Sequence, residues 1–131
     1  MTFFLDTDTV SYLLRGSRGI ARRMSRYPPS ELAMSVIAVA ELRAGGAKVT
    51  SAAKLRSRIE DVLATLAVVE FTEADTLVYA EVRAHLERAG TPIGELDTLL
   101  GAHALARGAT LVTNNTRHFE RVPGLRVESW L

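Results

Sequence analysis

The run FFLD at residues 3–6 places three apolar residues directly before a carboxylate. Such a run is typical of a buried strand that delivers an acid to its carboxyl end, and ligand sites in open α/β sheets form at that end. Three further segments have a similar organisation: MSV at 34–36 leading to Glu41, IGELD at 93–97 and LVTNN at 111–115. We expect the four segments to meet in space. Several acids meeting there predict a site for metal cations and a negatively charged substrate.

Strand-like and helix-like segments alternate along the chain. The strand-like runs lie near 2–5, 32–36, 67–71, 109–113 and 125–128. The helical segments span about 7–27 with a break at Gly16, 37–44 ending at Gly45-Gly46, 51–66, 73–89 closed by Gly90, and 95–107 ended by Gly108. This alternation predicts one α/β domain over residues 1–131, with a mainly parallel central sheet flanked by helices.

The amino-acid composition limits the fold size and the kinds of metal site and nucleophile that the chain can have. The chain has 131 residues, is 47% hydrophobic and contains no cysteine, so it has the length and apolar content of one domain with its own core. The lack of cysteine excludes disulfides, thiolate metal sites and cysteine nucleophiles, which favours a hard, oxygen-binding cation. Because no apolar stretch approaches the ~20 residues of a membrane span and no basic signal region precedes the first apolar run, we expect a cytoplasmic protein.

Three carboxylates occupy equivalent junctions between a strand and a helix. Asp6 ends the first strand, and it is also suited to cap the helix that follows. Glu41 lies one turn into the helix after the second strand, in a markedly apolar segment where a carboxylate needs a partner. Asp97 falls in the first turn of a later helix, where the helix dipole favours an ionised acid. Three such coincidences favour one shared site over three separate caps.

Asp97 has a competitor two residues away, Glu95. Residues at this spacing lie on different helix faces, so we expect only one of them to point into the site. We choose Asp97 because Gly101 and Ala104 lie on its side and would let the helix pack closely against the sheet.

Basic residues are unevenly distributed. Net charge is only +1, but arginine supplies all but two of the 16 basic residues, and Arg15, Arg18, Arg22, Arg23 and Arg26 fall in one segment. The planar guanidinium suits phosphate and carboxylate groups. Arg18, Arg22 and Arg26, at helical spacing, therefore fit a surface for RNA or for an acidic partner, and they fit a solvated helix face equally well.

Taken in order along the whole chain, these motifs resemble a PIN-domain ribonuclease toxin of the VapC type. The resemblance rests on LDT at 5–7, Ser35 followed by Glu41, the segment 93–97, and LVTNNTRHF at 111–119, which is its most specific part. Two residues depart from the family pattern. Asp8 stands where the family usually has Asn, and His118 stands where an acid is common.

The resemblance implies an endoribonuclease that depends on Mg²⁺ or Mn²⁺, cleaves structured RNA such as tRNA or rRNA, and is silenced by a cognate antitoxin protein. It also suggests a homodimer. It carries over Asp6, Glu41 and Asp97 as the metal-binding acids, with Asn115 where many PIN domains have a fourth Asp. We expect the substrate-binding residues to be Arg18, Arg22, Arg26, Thr113 and Arg117.

The expected mechanism is hydrolysis by water. Asp6 and Asp97 would hold the principal ion, Glu41 would orient an ion or its water, and Asn115 would donate a hydrogen bond to a water or phosphate oxygen. Because the sequence has no evident histidine pair, attack by the neighbouring 2′-OH is not expected. Water attack should leave a 5′-phosphate and a 3′-OH.

Two alternatives stay open from the sequence. FLDTDTV at 4–10 fits the DxDxT pattern of haloacid-dehalogenase-like phosphatases, with Asp6 as nucleophile and Asp8 as acid and base. That interpretation lacks the paired acids expected after a late strand, where Thr113-Asn114-Asn115 stands instead. The other alternative is an inactive PIN domain that only binds a partner, and the trio of acids argues against it.

Overall fold

The central sheet is parallel. The computed structural model describes residues 2–51 and 53–131, and within these ranges the sheet has five short strands in the order β3-β2-β1-β4-β5. The strands are β1 (Phe3–Leu5), β2 (Leu32–Ser35), β3 (Ala67–Val69), β4 (Thr110–Val112) and β5 (Arg126–Glu128), and every neighbouring pair is parallel. The α/β class predicted from the sequence is confirmed.

Helices cover the connections between the strands. They are α1 (Thr7–Leu14), α2 (Arg18–Met24), α3 (Val36–Ala47), α4 (Ala53–Leu63), α5 (Glu73–Arg88), α6 (Glu95–Ala106) and α7 (Thr116–Phe119), with a 3₁₀ turn at Pro29–Glu31. The predicted break at Gly16 is confirmed, and its φ of +94° explains the glycine. The helix expected over 51–66 is α4, although Ala52 lies outside the described residues. Helix α7 was not predicted. None of these helices in the described part of the chain has the length and apolar character needed to span a membrane.

Strand order explains where the site forms. The chain leaves the central strand β1 for β2 and β3, and it then returns to the other side of β1 for β4 and β5. The chain therefore adds strands to one side of β1 first and to the other side afterwards, which makes the gap between β1 and β4 a topological switch point. Crevices at such switch points bind ligands. Leu5 pairs in register with Val112. The next residues, Asp6 and Thr113, consequently emerge side by side at the carboxyl edge.

The strands are anchored by apolar side chains on both faces. Phe4, Leu5, Met34 and Leu111 are almost completely buried, and Leu100 of α6 packs into the same core. Burial of each such side chain contributes roughly 1.5–3 kcal/mol. The three central strands β1, β2 and β4 are buried along their whole length, which explains their mostly apolar, non-alternating sequences and gives the polar residues beyond them a rigid base.

One predicted helix boundary is wrong. Helix α3 does not end at Gly45-Gly46 but continues to Ala47. Gly46 is buried against α4, and a Cβ atom there would lie 2.9 Å from Cδ1 of Ile59. The glycine therefore permits close packing of two helices, which outweighs the roughly 0.5–1 kcal/mol that glycine costs inside a helix.

Trp130 is an apolar anchor beyond the last strand. The residue is 3% exposed. It stacks on Tyr27 at 5.6 Å and lies 5.2 Å from the ring of Phe3. The Arg23 guanidinium lies over the Trp130 ring, 5.3 Å from its centroid, and 3.4 Å from Glu128, so one of the five clustered arginines has partners within the chain.

Candidate active site

Asp6 lies at the carboxyl end of β1 and is 7% exposed. Its Oδ1 accepts a hydrogen bond from the backbone N–H of Thr7 at 2.7 Å, which makes Asp6 the N-cap of α1. Its Oδ2 accepts a hydrogen bond from the Thr113 hydroxyl at 2.8 Å. The capping interpretation of Asp6 is therefore confirmed, and its second oxygen contacts the segment after β4.

The segment after β4 also contacts Asp8. The backbone N–H of Asn114 donates to Oδ2 of Asp8 at 3.0 Å, and the backbone N–H of Asn115 donates to the Thr113 hydroxyl at 3.0 Å. Thr113 was expected to contact RNA, but it is fully buried. Without exposed surface, its hydroxyl serves instead to orient Asp6.

Glu41 and Asp97 approach from two helices. Glu41 lies in the second turn of α3 and Asp97 in the first turn of α6, and both are partly exposed. Glu95 is exposed, in agreement with the choice of Asp97. The reason for that choice fails at Gly101, however. A Cβ atom there would meet Val122 and Phe119, so Gly101 packs on α7 and the turn after it.

Helix α7 brings His118 to the site, a contact that the sequence did not reveal. The Asn115 side-chain amide lies 2.9 Å from Nδ1 of His118. Since an amide nitrogen only donates, Nδ1 accepts this hydrogen bond. The same Nδ1 lies 3.6 Å from Oδ2 of Asp97. Asn115 therefore contacts His118, which in turn lies beside Asp97.

Four carboxylates, Asp6, Asp8, Glu41 and Asp97, form what we call the acidic cluster. Burial and the nearby Asp8 raise the pKa of Asp6 to about 7, against the lowering effect of its two hydrogen bonds. Burial, Asp97 and Asp8 raise the pKa of Glu41. Burial raises the pKa of Asp97 as well, with Asp8 adding to the shift and His118 opposing it. Ionising the whole cluster is therefore unfavourable without a cation.

The donor chemistry of the acidic cluster fits a divalent cation. Carboxylate oxygens are the preferred ligands of Mg²⁺, and within the described ranges no Arg or Lys side chain forms an ion pair with these four acids. In residues 2–51 and 53–131, no three acidic or histidine side chains stand close enough to chelate one ion as they are placed. Chelation therefore needs some side-chain adjustment from this arrangement.

The predicted substrate arginines lie on the surface. Arg18 and Arg22 are exposed on α2, whereas Arg26 is exposed beyond the end of that helix, so the three do not share one helical face. Arg117 is exposed on α7, close in sequence to His118. These positions leave all four guanidinium groups accessible to a ligand from solvent.

Fold and site together define a family. The PIN-domain model matches residues 3–125, and the chain belongs to the PIN-domain family. Within that family it is similar to proteins of the VapC type. It is 32% identical to the tRNA(fMet)-specific endonuclease VapC of Salmonella typhimurium, over 99% of this chain and 98% of that protein. It is 39% identical to ribonuclease VapC2 of Rickettsia felis, over 76% and 74% of the two chains.

Solved structures give the same result. The chain superposes on a chain of VapBC2 from Rickettsia felis, bound to a DNA fragment from its promoter, with a TM-score of 0.94 and 32% identity over the full length of both chains. It superposes equally well on DNA-bound VapBC from Salmonella typhimurium, with a TM-score of 0.94 and 32% identity over 100% and 99% of the two chains. The nuclease interpretation is thereby favoured over the phosphatase alternative.

Proposed function

We propose that this protein is a Mg²⁺- or Mn²⁺-dependent endoribonuclease, the toxin of a toxin–antitoxin pair, that cleaves structured RNA such as tRNA or rRNA. The observation that carries the proposal is the acidic cluster at the switch point of the sheet, where three carboxylates have raised pKa values. The similarity to VapC ribonucleases over nearly the whole chain supports the choice of RNA as substrate.

The residues divide the work of hydrolysis. Asp6 and Asp97 would hold the cation, with Glu41 beside them. When bound, the cation supplies a nucleophilic water at neutral pH and neutralises charge on the phosphate. Thr113 fixes the carboxylate of Asp6 through the 2.8 Å hydrogen bond. His118 lies beside Asp97 and Asn115 contacts His118, and both side chains would donate hydrogen bonds to a phosphate oxygen or to water.

End mapping of cleaved RNA tests the proposal. Purified protein is incubated with total tRNA and rRNA in EDTA, and then with Mg²⁺ or Mn²⁺ restored. We expect no cleavage in EDTA, and we expect fragments with 5′-phosphate and 3′-OH ends once the metal is present. Cleavage in EDTA, or 2′,3′-cyclic phosphate ends, would show a different mechanism. No cleavage of any RNA in Mn²⁺ would favour the inactive, partner-binding alternative.

The proposed antitoxin has a candidate binding groove beside the acidic cluster. A groove of about 350 Å³ lies between α1, α3 and α4. Its wall includes Thr7 and Glu41 at the cluster end and Leu42, Leu55 and Ile59 farther along. The structural neighbours that are VapBC complexes support an antitoxin as partner. We propose that an apolar segment of the antitoxin enters this groove and so limits access to Glu41.

Coexpression with the product of a small neighbouring reading frame tests this groove. We expect a stable complex with wild type and loss of the complex with Leu55→Glu, because a charge in the groove opposes burial of an apolar segment. The RNase activity of free Leu55→Glu should be unchanged. The surface variant Lys54→Glu is the control, and it should retain the complex. Retention by both variants would place the antitoxin elsewhere. The homodimer and the cytoplasmic location stay predictions.

A further inference from the structure

His103 is a fully buried polar residue on α6, away from the acidic cluster. Its ring packs edge-on against Phe4 and Phe71, with both centroid distances at 5.2 Å. Its Nδ1 lies 2.7 Å from the hydroxyl of Ser35, and its Nε2 lies 3.0 Å from the backbone carbonyl of Glu70. His103 therefore joins α6 to the ends of two strands, β2 and β3.

The directions of these hydrogen bonds follow from the chemistry of the groups. A carbonyl oxygen only accepts, so Nε2 carries a proton and donates to Glu70. Burial lowers the pKa of His103, which favours the neutral ring, and Nδ1 of a neutral ring protonated at Nε2 accepts. The Ser35 hydroxyl consequently donates to His103, while its oxygen accepts from the backbone N–H of Ile37 at 3.1 Å as the N-cap of α3.

The contact between Ser35 and His103 is separated from two acids of the acidic cluster by the same number of residues on each helix. Glu41 lies six residues after Ser35, and Asp97 lies six residues before His103. Helix α3 packs against α6, with the Ser35 hydroxyl bonded to His103 at one level and with the Glu41 and Asp97 carboxylates near enough at another level for the charge of Asp97 to raise the pKa of Glu41. The two helices are therefore antiparallel here, with two matched levels about 9 Å apart along each axis.

We propose that Ser35 and His103 are positioning residues that fix the register of α3 against α6, so that Glu41 and Asp97 face each other to bind a divalent cation. The inference rests on the proposed metal-dependent function. Because Ser35 and His103 are fully buried, neither meets substrate, although with Asp75 they form a serine–histidine–aspartate series. Their effect on the reaction runs through the two acids.

Metal affinity separates positioning from simple stabilisation. We would measure Mn²⁺ binding to metal-free protein by calorimetry, and thermal stability in EDTA, for wild type and Ser35→Ala. Loss of the hydrogen bond should weaken Mn²⁺ binding about tenfold, the lower end of the range for residues that orient ligands. Ser17→Ala is the matched control. Ser17 caps α2 by accepting from the N–H of Ile20, so its removal should lower stability without changing Mn²⁺ affinity.

A second variant covers the case in which Ser35→Ala does not fold. His103→Gln places an amide nitrogen near the position of Nε2, so it keeps a donor for Glu70 and removes the acceptor for Ser35. It should weaken Mn²⁺ binding to the same degree. Unchanged affinity in the folded variants, or an equal loss in Ser17→Ala, would overturn the positioning role while leaving the proposed function intact. If wild type itself bound no Mn²⁺, the proposed function would fail and the inference with it.

Discussion

Asp6 and Asp75 are both buried carboxylates at the start of a helix, yet their pKa values shift in opposite directions. Asp6 is 7% exposed and has a pKa raised to about 7. Asp75 is 3% exposed and has a pKa lowered to about 2. At Asp6, burial raises the pKa, and the charges of Asp8 and Asp97 add to the shift. At Asp75, two hydrogen bonds from the Arg107 guanidinium, at 2.9 and 3.2 Å, outweigh the effect of burial.

The comparison shows that burial by itself does not reveal the role of an acid. Asp75 has a cation within the chain, and it also accepts hydrogen bonds from the backbone N–H and hydroxyl of Thr72. It is therefore a satisfied structural group. Asp6 has two hydrogen-bond donors but no cationic side chain paired with it in the described part of the chain. A site that concentrates negative charge at a cost in stability is typical of a functional centre.

The largest expected effect is the loss of catalysis in Asp97→Asn. Removal of one charged ligand should lower the rate of RNA cleavage on the order of a hundredfold or more, by analogy with other positioned electrostatic groups. Glu95→Gln, two residues away on the exposed face, is the matched control and should cleave normally. Rates are measured at several Mn²⁺ concentrations with metal-free protein as the starting material. Equal rates for wild type and Asp97→Asn would show that Asp97 does not take part in catalysis.

A second prediction concerns the sign of a stability change at Asp6. Its folded pKa of about 7 exceeds the ordinary 3.8, so ionised Asp6 destabilises the fold, and the penalty grows as pH rises from about 4 to 7. Asp6→Asn should therefore be at least as stable as wild type in EDTA at pH 8. Wild type should gain ~2.7 kcal/mol in Mn²⁺ at a hundred times the dissociation constant, and the variant should gain little.

Thermal melts with EDTA and with Mn²⁺ at pH 8 check the Asp6 prediction. If Asp6 were only a helix cap, its weakening would cost roughly 0.5–2 kcal/mol and the response to metal would match wild type. If the variant is less stable than wild type in EDTA and shows a normal Mn²⁺ shift, Asp6 has a structural role, as Asp75 has, and it does not bind the metal.

The third prediction concerns Asp75, the buried acid that has a cationic partner. Arg107→Met leaves Asp75 buried without its cation and should cost about 1–2 kcal/mol at pH 7, a figure reduced because Arg107 is partly exposed. Because the folded pKa of Asp75 lies below the ordinary 3.8, its stabilising effect is complete above that value and is lost as pH falls toward 2. The difference between the two proteins should narrow over that window.

Urea unfolding at pH 7 and at pH 3 measures the Arg107 effect. Arg83→Met is the control, since Arg83 pairs with Glu87 on an exposed face of α5, and it should lose little stability. A cost that stayed constant between pH 7 and pH 3 would attribute the loss to packing of the arginine side chain rather than to its charge.

The same contrast explains what sequence could predict. Asp6 and Asp97 could be chosen as candidates because local patterns mark them: an apolar strand ends, or a helix begins, at the acid. The partnership of Asp75 with Arg107 joins residues 32 positions apart, and the contact of Ser35 with His103 joins residues 68 apart. No local pattern encodes such pairs, since they depend on how α5, α6 and β2 pack.

Two features of the fold were predicted wrongly, and both errors have physical causes. Helix α7 has only four residues, too few for apolar periodicity to appear, so the position of His118 beside Asp97 could not be predicted. Gly46 suggested a helix end because glycine is a poor helix former, but its contact with Ile59 is a tertiary property. Local propensity determines a helix boundary where no other element packs against it. At Gly46, packing against α4 determines the boundary instead.

The smallest expected effect concerns Arg18, Arg22 and Arg26, which are exposed around α2. If they bind RNA phosphates, replacing all three by Gln should weaken RNA binding and reduce its salt dependence by about one unit of slope for each arginine–phosphate pair removed.

Binding is measured at several salt concentrations with an uncleavable RNA, and all variants carry Asp97→Asn so that none of them cleaves. The charge-matched control replaces Lys48, Lys54 and Arg88, which are exposed elsewhere, and it should leave the slope nearly unchanged. Equal slopes for both triple variants would mean that only the net charge matters, and an unchanged slope and affinity would assign the three arginines to a solvated surface or to the antitoxin.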